Sequence, residues 1–294
     1  MGLAGMVTGA KNIIIPEVDP TLILRLIEEE RIQHALFVPA VILFLVQHPD
    51  AENTDFSSLK TVIYGASPIT DDTLIKAMDL MQCDFWQVYG LTETNGAITF
   101  LYPEDHDVSR GKLRSCGKAG KDVGLRVVDS DDNDVPVGEV GEVIIQSLNN
   151  MKGYWNRPEA TAESIKDGWF YSGDIGYFDD EGFLYIHDRV KDMIVSGGEN
   201  IYPAEVENAL LSHPQIADAA VIGIPDDKWG ESTKAFVVLS EGSSLNAKDV
   251  ISYTKSKIAS YKCPKTINFI DELPRNPSGK VLRRELRDPF WNPF

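Results

Sequence analysis

Three short stretches of this sequence carry residue types that could act on a nucleotide. The first, Tyr89–Glu93 (YGLTE), offers an aromatic ring, a hydroxyl and a carboxylate within five residues. The ring could stack on a purine, the Thr92 hydroxyl could bond a phosphate oxygen, and Glu93 could bind Mg²⁺ as a hard oxygen ligand. A plain strand-to-loop turn with a surface glutamate fits the same five residues, so both interpretations stay open at this point.

An aspartate and a lysine supply the other two candidates. Asp174 follows Gly173 where we predict that a strand ends, and a carboxylate there can accept hydrogen bonds from the two hydroxyls of a ribose. Lys280 ends the loop Pro274–Lys280 (PRNPSGK), and its ammonium group could neutralise charge that develops on an attacked phosphate. The ordinary alternatives are a turn-stabilising aspartate and a solvated lysine.

The elements around YGLTE alternate between strands and helices, which predicts parallel strand pairing. The expected strands are Asn12–Ile15, Ala35–Val38, Leu59–Tyr64 and Phe85–Val88, and the expected helices begin near Pro20, Val41 and Thr70. Ligands of parallel sheets bind at the carboxyl ends of the strands. Both YGLTE and the glycine turn Gly65–Pro68 follow such ends.

Two further regions have a different character. Residues 108–190 are rich in strand patterns and contain a hairpin turned at Asp179–Gly182. Residues 191–294 read as a compact α+β unit, with Pro203 at the first position of a helix, where its missing N–H costs nothing. We therefore predict an N-terminal region, 1–190, made of an α/β part (1–107) and a β-rich part (108–190), followed by a C-terminal domain, 191–294.

Composition excludes several classes of protein. The net charge of −17 argues against a nucleic-acid partner, which needs a basic surface, and against docking on anionic lipid. The three cysteines (Cys83, Cys116 and Cys263) are far apart, which favours reduced thiols and a cytoplasmic protein. No apolar run is long enough for a transmembrane segment, and we expect no signal peptide.

Three familiar catalytic patterns are incomplete here. Gly117–Ala119 resembles the end of a phosphate-binding P-loop, but Ala119 replaces the magnesium-binding Ser or Thr and the preceding glycine spacing is wrong. The histidines are scattered without metal-ligand spacing, which argues against a metalloenzyme. Ser67 is not in a GxSxG nucleophile elbow.

Taken together, six segments resemble the adenylate-forming acyl-CoA synthetases, relatives of luciferase and of peptide-synthetase adenylation domains. They occur in the family's order and cover nearly the whole chain. The segments are GAS at 65–67, YGLTE at 89–93, WFYSGD at 169–174, DRVKD at 188–192, GGENIYPAEVE at 197–207 and PRNPSGKVLRREL at 274–286.

This resemblance implies a fold and a reaction. The fold would be α/β and α+β: the C-terminal part of the large adenylate-forming domain, a parallel α/β sheet plus a β-rich subdomain, followed by a small α+β domain. The reaction would be that of an ATP-dependent, AMP-forming acyl-CoA ligase. A carboxylate attacks the α-phosphate of ATP, and the thiol of CoA then displaces AMP after the small domain rotates. Residues 188–207 look most like the ligases of fatty acids and steroid side chains.

The resemblance also implies residue roles. The residues expected at the nucleotide or acyl group are Gly65, Ala66, Ser67, Gln87, Tyr89, Gly90, Leu91, Thr92, Asp174 and Arg189. Tyr89 would stack on adenine, and Asp174 and Arg189 would hold the ribose. The catalytic set would be Thr92, Glu93 and Lys280, with Glu93 binding Mg²⁺ and Lys280 bridging the carboxylate and the α-phosphate. The second half-reaction would use the hinge Lys191, Gly197 and Gly198 at the pantetheine tunnel, and Asn200 near AMP.

One departure concerns the phosphates. The family's Gly-rich phosphate loop, which ends in Pro-Lys-Gly, is not found in this sequence, nor is the gating His or Trp segment that follows it. We therefore expect a truncated chain without its pyrophosphate cradle, with apolar surface exposed around residues 2–15. An aryl-acid ligase, a carrier protein as acyl acceptor, and a non-catalytic remnant that binds nucleotide or acyl group remain alternatives, and the oligomeric state stays open.

Overall fold

The computed structural model describes residues 2–276 and 280–291, and its contacts divide the chain into two compact units. The first unit comprises Met1–Leu125, Gln146–Thr161 and Asp179–Tyr185, and the second comprises Arg126–Ile145, Ala162–Phe178 and Ile186–Phe294. Together they give the α/β and α+β composition that the sequence predicted.

A five-stranded sheet in the order β1-β2-β3-β4-β5 forms the centre of the first unit. Its strands are β1 (His34–Phe37), β2 (Thr61–Gly65), β3 (Asp84–Leu91), β4 (Gly96–Leu101) and β5 (Lys118–Ala119). The predicted parallel pairing of β1, β2 and β3 is confirmed, whereas β4 and β5 are antiparallel. The helices of this unit are α1 (Gly2–Val7), α2 (Pro20–Glu29), α3 (Pro39–Gln47) and α4 (Asp71–Met81).

Two helices of this unit, α2 and α4, begin just after a capping residue. The Asp19 carboxylate accepts the N–H of Leu22 at 3.1 Å, just before Pro20, and Thr70 caps α4. Such caps satisfy N–H groups that have no partner inside the helix. The buried faces pack around the fully buried Tyr64 and Phe85 of the sheet.

The predicted buried strand at Asn12–Ile15 is wrong. This segment is neither helix nor strand, and the Ile14 side chain is 84% exposed. A run of apolar residues becomes a strand only when a neighbouring strand takes up its hydrogen bonds, and no described strand pairs with this one. Met6 and Val7 are also exposed, as expected for residues 2–15.

A second sheet follows the order β10-β9-β7-β6, with β8 paired to β9. Its strands are β6 (Gly124–Val128), β7 (Gly141–Gln146), β8 (Ile165–Lys166), β9 (Trp169–Phe178) and β10 (Leu184–Arg189), and the short helix α5 (Pro158–Ser164) precedes β8. The predicted hairpin turn is confirmed, since Asp179 bonds the backbone of Gly182 and Phe183. The prediction that a strand ends at Ser172–Asp174 is wrong, because β9 continues to Phe178.

The rest of the second unit is a sheet covered on both faces. Its order is β12-β11-β14-β13, with β15 parallel to β14. The elements are β11 (Ile194–Ser196), β12 (Glu199–Ile201), α6 (Pro203–Leu211), β13 (Ile216–Asp226), β14 (Gly230–Leu239), α7 (Ala247–Lys255), β15 (Thr266–Phe269) and α8 (Arg283–Trp291). Ala219 and Val221 of β13 pack with α6 and α7, while Ala220 and Ile222 pack with α8. This alternation is the period-2 pattern of a strand buried on both sides.

Across residues 2–276 and 280–291, no helix is both long enough and apolar enough to cross a membrane.

Candidate active site

In the first unit, β2 ends in a turn that depends on glycine. Gly65 pairs with Val88 of β3, and a Cβ on Gly65 would lie 2.1 Å from the Val88 carbonyl oxygen. Ala66 follows with a φ of +71°, in the left-handed region that residues other than glycine seldom adopt. The chain therefore leaves the sheet abruptly at this point and exposes Ala66, beside the partly buried Ser67.

The YGLTE segment is positioned differently from the prediction. Tyr89, Gly90 and Leu91 lie within β3 rather than after it, because β4 pairs with this stretch, and only Thr92 begins the following 3₁₀ turn. A Cβ on Gly90 would lie 2.0 Å from the carbonyl oxygen of Gly96, so a side chain at this position would displace β4.

A buried hydroxyl fixes the turn that carries Thr92 and Glu93. Thr94 Oγ1 accepts the N–H of Leu91 at 3.0 Å and lies 3.0 Å from the Leu91 carbonyl and 2.8 Å from that of Gly96. This role of Thr94 could not be predicted, since nothing in the sequence LTET distinguishes the exposed Thr92 from the buried Thr94.

The Glu93 carboxylate is held by a segment distant in sequence. Tyr154 donates its hydroxyl hydrogen to Glu93 Oε1 at 2.9 Å, and the Met151 N–H donates to the Glu93 carbonyl at 2.7 Å. No motif in the sequence had pointed to Tyr154. On the same strand as YGLTE, the buried Oε1 of Gln87 accepts no hydrogen bond from a described residue, so it has unused acceptor capacity.

The surroundings of Glu93 suit a Mg²⁺ ion that is bound jointly by the protein and a phosphate ligand, rather than by protein side chains alone. In the described part of the chain, no three His, Cys, Asp or Glu side chains are grouped to hold a metal ion. Mg²⁺ in phosphate sites is commonly bound by one or two carboxylates, with phosphate oxygens and waters completing its shell. A single fixed carboxylate at Glu93 suits that mode.

In the second unit, a bulged strand places Asp174 beside Arg189. Gly173 has a φ of +69°, and β7 shifts register opposite this part of β9. Ser172 Oγ donates to the Val143 carbonyl at 2.6 Å and accepts the Asp174 N–H at 3.0 Å. The buried Asp174 carboxylate lies 3.0 Å from Arg189 Nε.

Lys280 lies on a short hairpin in the same unit. Asn276 bonds it twice, since Asn276 N–H donates to the Lys280 carbonyl and Asn276 Oδ1 accepts the Lys280 N–H, each at 2.9 Å. Although Lys280 is an exposed residue, desolvation of its ammonium group lowers its pKa, Arg189 lowers it further, and Asp174 opposes the decrease. Pro277, Ser278 and Gly279 of the predicted loop lie outside the described residues.

A buried ion network anchors this hairpin to α6. Arg283 Nη2 donates to both oxygens of Glu207, at 2.9 and 2.7 Å, and Glu207 Oε1 also accepts the Val221 N–H. Burial raises the pKa of Glu207, and the guanidinium opposes that increase. Asp188 is buried next to the same cation, and its carboxylate accepts the N–H of Ala204 at 2.8 Å.

The residues expected at the second half-reaction are on exposed parts of the second unit. Lys191 is exposed, and its carbonyl accepts a hydrogen bond from Arg287 at 3.0 Å. Gly197 and Gly198 form the turn between β11 and β12, and Asn200 follows on β12. A Cβ on Gly197 would lie 2.6 Å from the ring of Trp229, a residue that sequence analysis had not singled out.

Comparison with known proteins identifies the class. Residues 1–155 match the AMP-binding enzyme family, and residues 205–280 match the AMP-binding enzyme C-terminal domain. The first match alone covers more than half of the chain, so the chain belongs to the AMP-binding enzyme family.

Individual relatives are similar over most of this chain. A fatty acid–[acyl-carrier-protein] ligase, ScoC, from Streptomyces coeruleorubidus is 42% identical over 90% of the chain and 51% of its own length. A feruloyl-CoA synthase from an Amycolatopsis species is 40% identical over 98% of the chain and 58% of its own length. The structure of o-succinylbenzoate coenzyme A synthetase (MenE) from Bacillus subtilis with ATP and magnesium ion is also similar, with a TM-score of 0.85 and 34% identity over 97% of this chain and 57% of that one. The chain thus spans about half the length of the relatives that it matches.

Proposed function

We propose that this chain is part of an ATP-dependent, AMP-forming acyl-CoA ligase that acts on fatty or fatty-like acids. The observation that carries the proposal is the group formed in the second unit by Asp174, Arg189 and Lys280. A buried carboxylate beside a guanidinium and an ammonium group suits a ligand with vicinal hydroxyls and a phosphate. The ribose and α-phosphate of AMP present these two features.

In this proposal the second unit serves the nucleotide and the reacting phosphate. Asp174 accepts hydrogen bonds from the ribose hydroxyls, and its ion pair with Arg189 holds the carboxylate in place. The Lys280 ammonium group stabilises the negative charge that grows as the substrate carboxylate bonds to the α-phosphorus and the bond to pyrophosphate breaks.

We assign the base and metal contacts to residues of YGLTE. Tyr89 stacks on adenine, Thr92 bonds a phosphate oxygen, and Glu93 holds Mg²⁺, which offsets phosphate charge when bound. The other residues assigned to the nucleotide or acyl group are Gly65, Ala66, Ser67, Gln87, Gly90 and Leu91.

CoA transfer would use the remaining residues. We propose a domain boundary at 190/191 with Lys191 as the hinge, Gly197 and Gly198 along the pantetheine path, and Asn200 near AMP. Since all three cysteines are free thiols, we further propose a cytoplasmic location.

Two relatives guide the choice of acid. The similarity to a fatty acid–[acyl-carrier-protein] ligase supports a fatty acid as the first substrate to test, and the feruloyl-CoA synthase places aromatic acids in the same panel. The acyl acceptor, CoA or a carrier protein, is tested by adding each to a preformed acyl-adenylate.

Calorimetry of AMP binding to the 294-residue chain tests the proposal. Asp174→Ala should weaken AMP binding about 10- to 150-fold, the equivalent of a lost charged hydrogen bond of about 1.5–3 kcal/mol. The matched control is Asp134→Ala, which removes an exposed aspartate that also pairs with an arginine, Arg126, in the second unit and should leave AMP affinity unchanged. Equal affinities for wild type and Asp174→Ala would refute the nucleotide site.

Non-hydrolysable acyl-adenylate mimics then distinguish the acids. A fatty-acyl mimic should bind more tightly than AMP alone and more tightly than a feruloyl mimic. Tighter binding of the feruloyl mimic would assign the chain to the aryl-acid ligases instead.

A further inference from the structure

Glu93, the carboxylate assigned above to a divalent cation, is held in place by another side chain. We propose that Tyr154 is a positioning residue for this cation site, because its hydroxyl orients the Glu93 carboxylate. The proposal rests on the function proposed above. It extends that function by giving a role to Tyr154, which lies outside YGLTE and 61 positions after Glu93.

Tyr154 approaches Glu93 from a fixed backbone. The Tyr154 N–H donates to Thr161 Oγ1 at 2.9 Å, and the same hydroxyl lies 2.9 Å from the Arg157 carbonyl, to which it donates. Gly153, with a φ of +151°, packs so closely that a Cβ there would lie 2.7 Å from Thr161 Cγ2. Residues 153–161 therefore form a folded support for the Tyr154 ring.

Residues 151–161, which include this support, contact the YGLTE turn at two points. Besides the 2.9 Å bond from the Tyr154 hydroxyl to Glu93 Oε1, the Met151 N–H donates to the Glu93 carbonyl at 2.7 Å. One contact fixes the backbone of Glu93, and the other fixes its carboxylate. A loop that only covered the turn would need no bond to the carboxylate.

The chemistry of the Tyr154 hydroxyl suits a carboxylate that binds a cation. A phenol is neutral at physiological pH, so it fixes one carboxylate oxygen without cancelling the negative charge that attracts a cation. Oε2 accepts no hydrogen bond from any residue in 2–276 or 280–291 and stays available as a ligand. Outer partners that orient a metal-binding carboxylate typically affect metal affinity 10- to 100-fold.

A matched pair of tyrosines allows a clean test. Tyr171 also donates to a carboxylate at 2.9 Å, that of Asp132, in the second unit. Tyr154→Phe and Tyr171→Phe therefore each remove one phenol-to-carboxylate hydrogen bond and keep the ring. Glu93→Gln serves as the reference for loss of the ligand itself.

Binding of Mn²⁺-ATP to the 294-residue chain is measured through the change that it causes in the relaxation rate of water protons. Affinity for metal-free AMP is measured in parallel by calorimetry. Tyr154→Phe should weaken Mn²⁺-ATP binding about 10- to 100-fold and leave metal-free AMP binding within twofold. Tyr171→Phe should change neither affinity.

The outcomes distinguish the role of Tyr154 from the existence of the cation site. If Glu93→Gln weakens Mn²⁺-ATP binding and Tyr154→Phe does not, the role of Tyr154 is wrong while the cation site stands. If Tyr154→Phe weakens metal-free AMP binding as much as Mn²⁺-ATP binding, Tyr154 only supports the fold, which also overturns the proposal. If wild type and Glu93→Gln bind Mn²⁺-ATP equally, the cation site of the proposed function fails and the role of Tyr154 fails with it.

Discussion

The ion pair between Arg283 and Glu207 anchors the Lys280 hairpin, and its contribution to the free energy of unfolding can be measured by substitution. The substitution Arg283→Met keeps a long unbranched side chain but removes two hydrogen bonds to Glu207, at 2.9 and 2.7 Å. Glu207 then retains the bond from the Val221 N–H at 2.8 Å, with Asp188 as an acidic neighbour. The variant therefore buries a carboxylate without its cation.

The size of the effect follows from burial. Loss of one partner from a buried ion pair costs about 3–5 kcal/mol of unfolding free energy. The Arg283 and Glu207 side chains are 24% and 14% exposed, so water screens part of the charge and we expect the lower end, about 3 kcal/mol near pH 8.

The effect should depend on pH with a definite sign. Burial already raises the pKa of Glu207 in the folded protein, and removal of the opposing guanidinium raises it further, while the unfolded chain keeps an ordinary pKa of about 4.3. The folded variant thus binds a proton that the unfolded chain has released. Its stability therefore falls as pH rises through the folded-state pKa, and lowering the pH from 8 towards 5 restores part of the loss.

Urea unfolding at pH 5.5 and pH 8 measures both quantities. Arg284→Met is the control, because Arg284 is on the same helix but 89% exposed, and it should change stability by less than about 0.5 kcal/mol. The double variant Arg283→Met/Glu207→Met should be more stable than Arg283→Met alone, since an apolar pair carries no buried charge. Arg283→Met with the stability of Arg284→Met, or with the same loss at both pH values, would refute the reasoning.

Two other positions give sharp expectations. Lys280→Ala should slow acyl-adenylate formation by about a hundredfold or more in the ligase while leaving transfer from a supplied acyl-adenylate to CoA, and equal losses in the two assays would contradict its assigned role. Gly65→Ala should lower the melting temperature, because its Cβ would lie 2.1 Å from the Val88 carbonyl oxygen and overpacking of this kind costs about 1–3 kcal/mol. Ala66→Gly, which relieves a φ of +71°, should not lower it, and identical melting curves for the two variants would show that the strands accommodate the extra carbon.

Local signals in the sequence were enough for much of the fold. The start of α2 follows from the Asp19 cap and from Pro20, and the start of α6 follows from the fixed φ of Pro203. The alternation of strands and helices correctly predicted that β2 pairs in parallel with both β1 and β3. The error at β9 came from treating Gly173 as a strand terminator, whereas its left-handed backbone sits inside a ten-residue strand.

Tertiary contacts account for what the sequence did not reveal. Tyr154 and Glu93 are 61 residues apart, and neither has a local pattern that points to the other. The Glu207–Arg283 pair left a weak signal, since Glu207 lies four residues after Pro203 and three before Leu210, on the buried face of α6. A carboxylate buried on an apolar helix face requires a cation as its partner, but the sequence of the helix does not identify that cation.

The Lys280 hairpin has unequal anchors, and dissolved ions should distinguish them. At one end Arg275 pairs with Asp218 at 2.5 Å, and their side chains are 32% and 30% exposed; at the other end Arg283 pairs with the better buried Glu207. Mobile ions weaken attraction between charges that they can reach, with a screening length of about 8 Å at 0.15 M and about 3 Å at 1 M. Raising the ionic strength should therefore weaken the Arg275–Asp218 ion pair before the Arg283–Glu207 pair, so that the hairpin stays attached through Arg283.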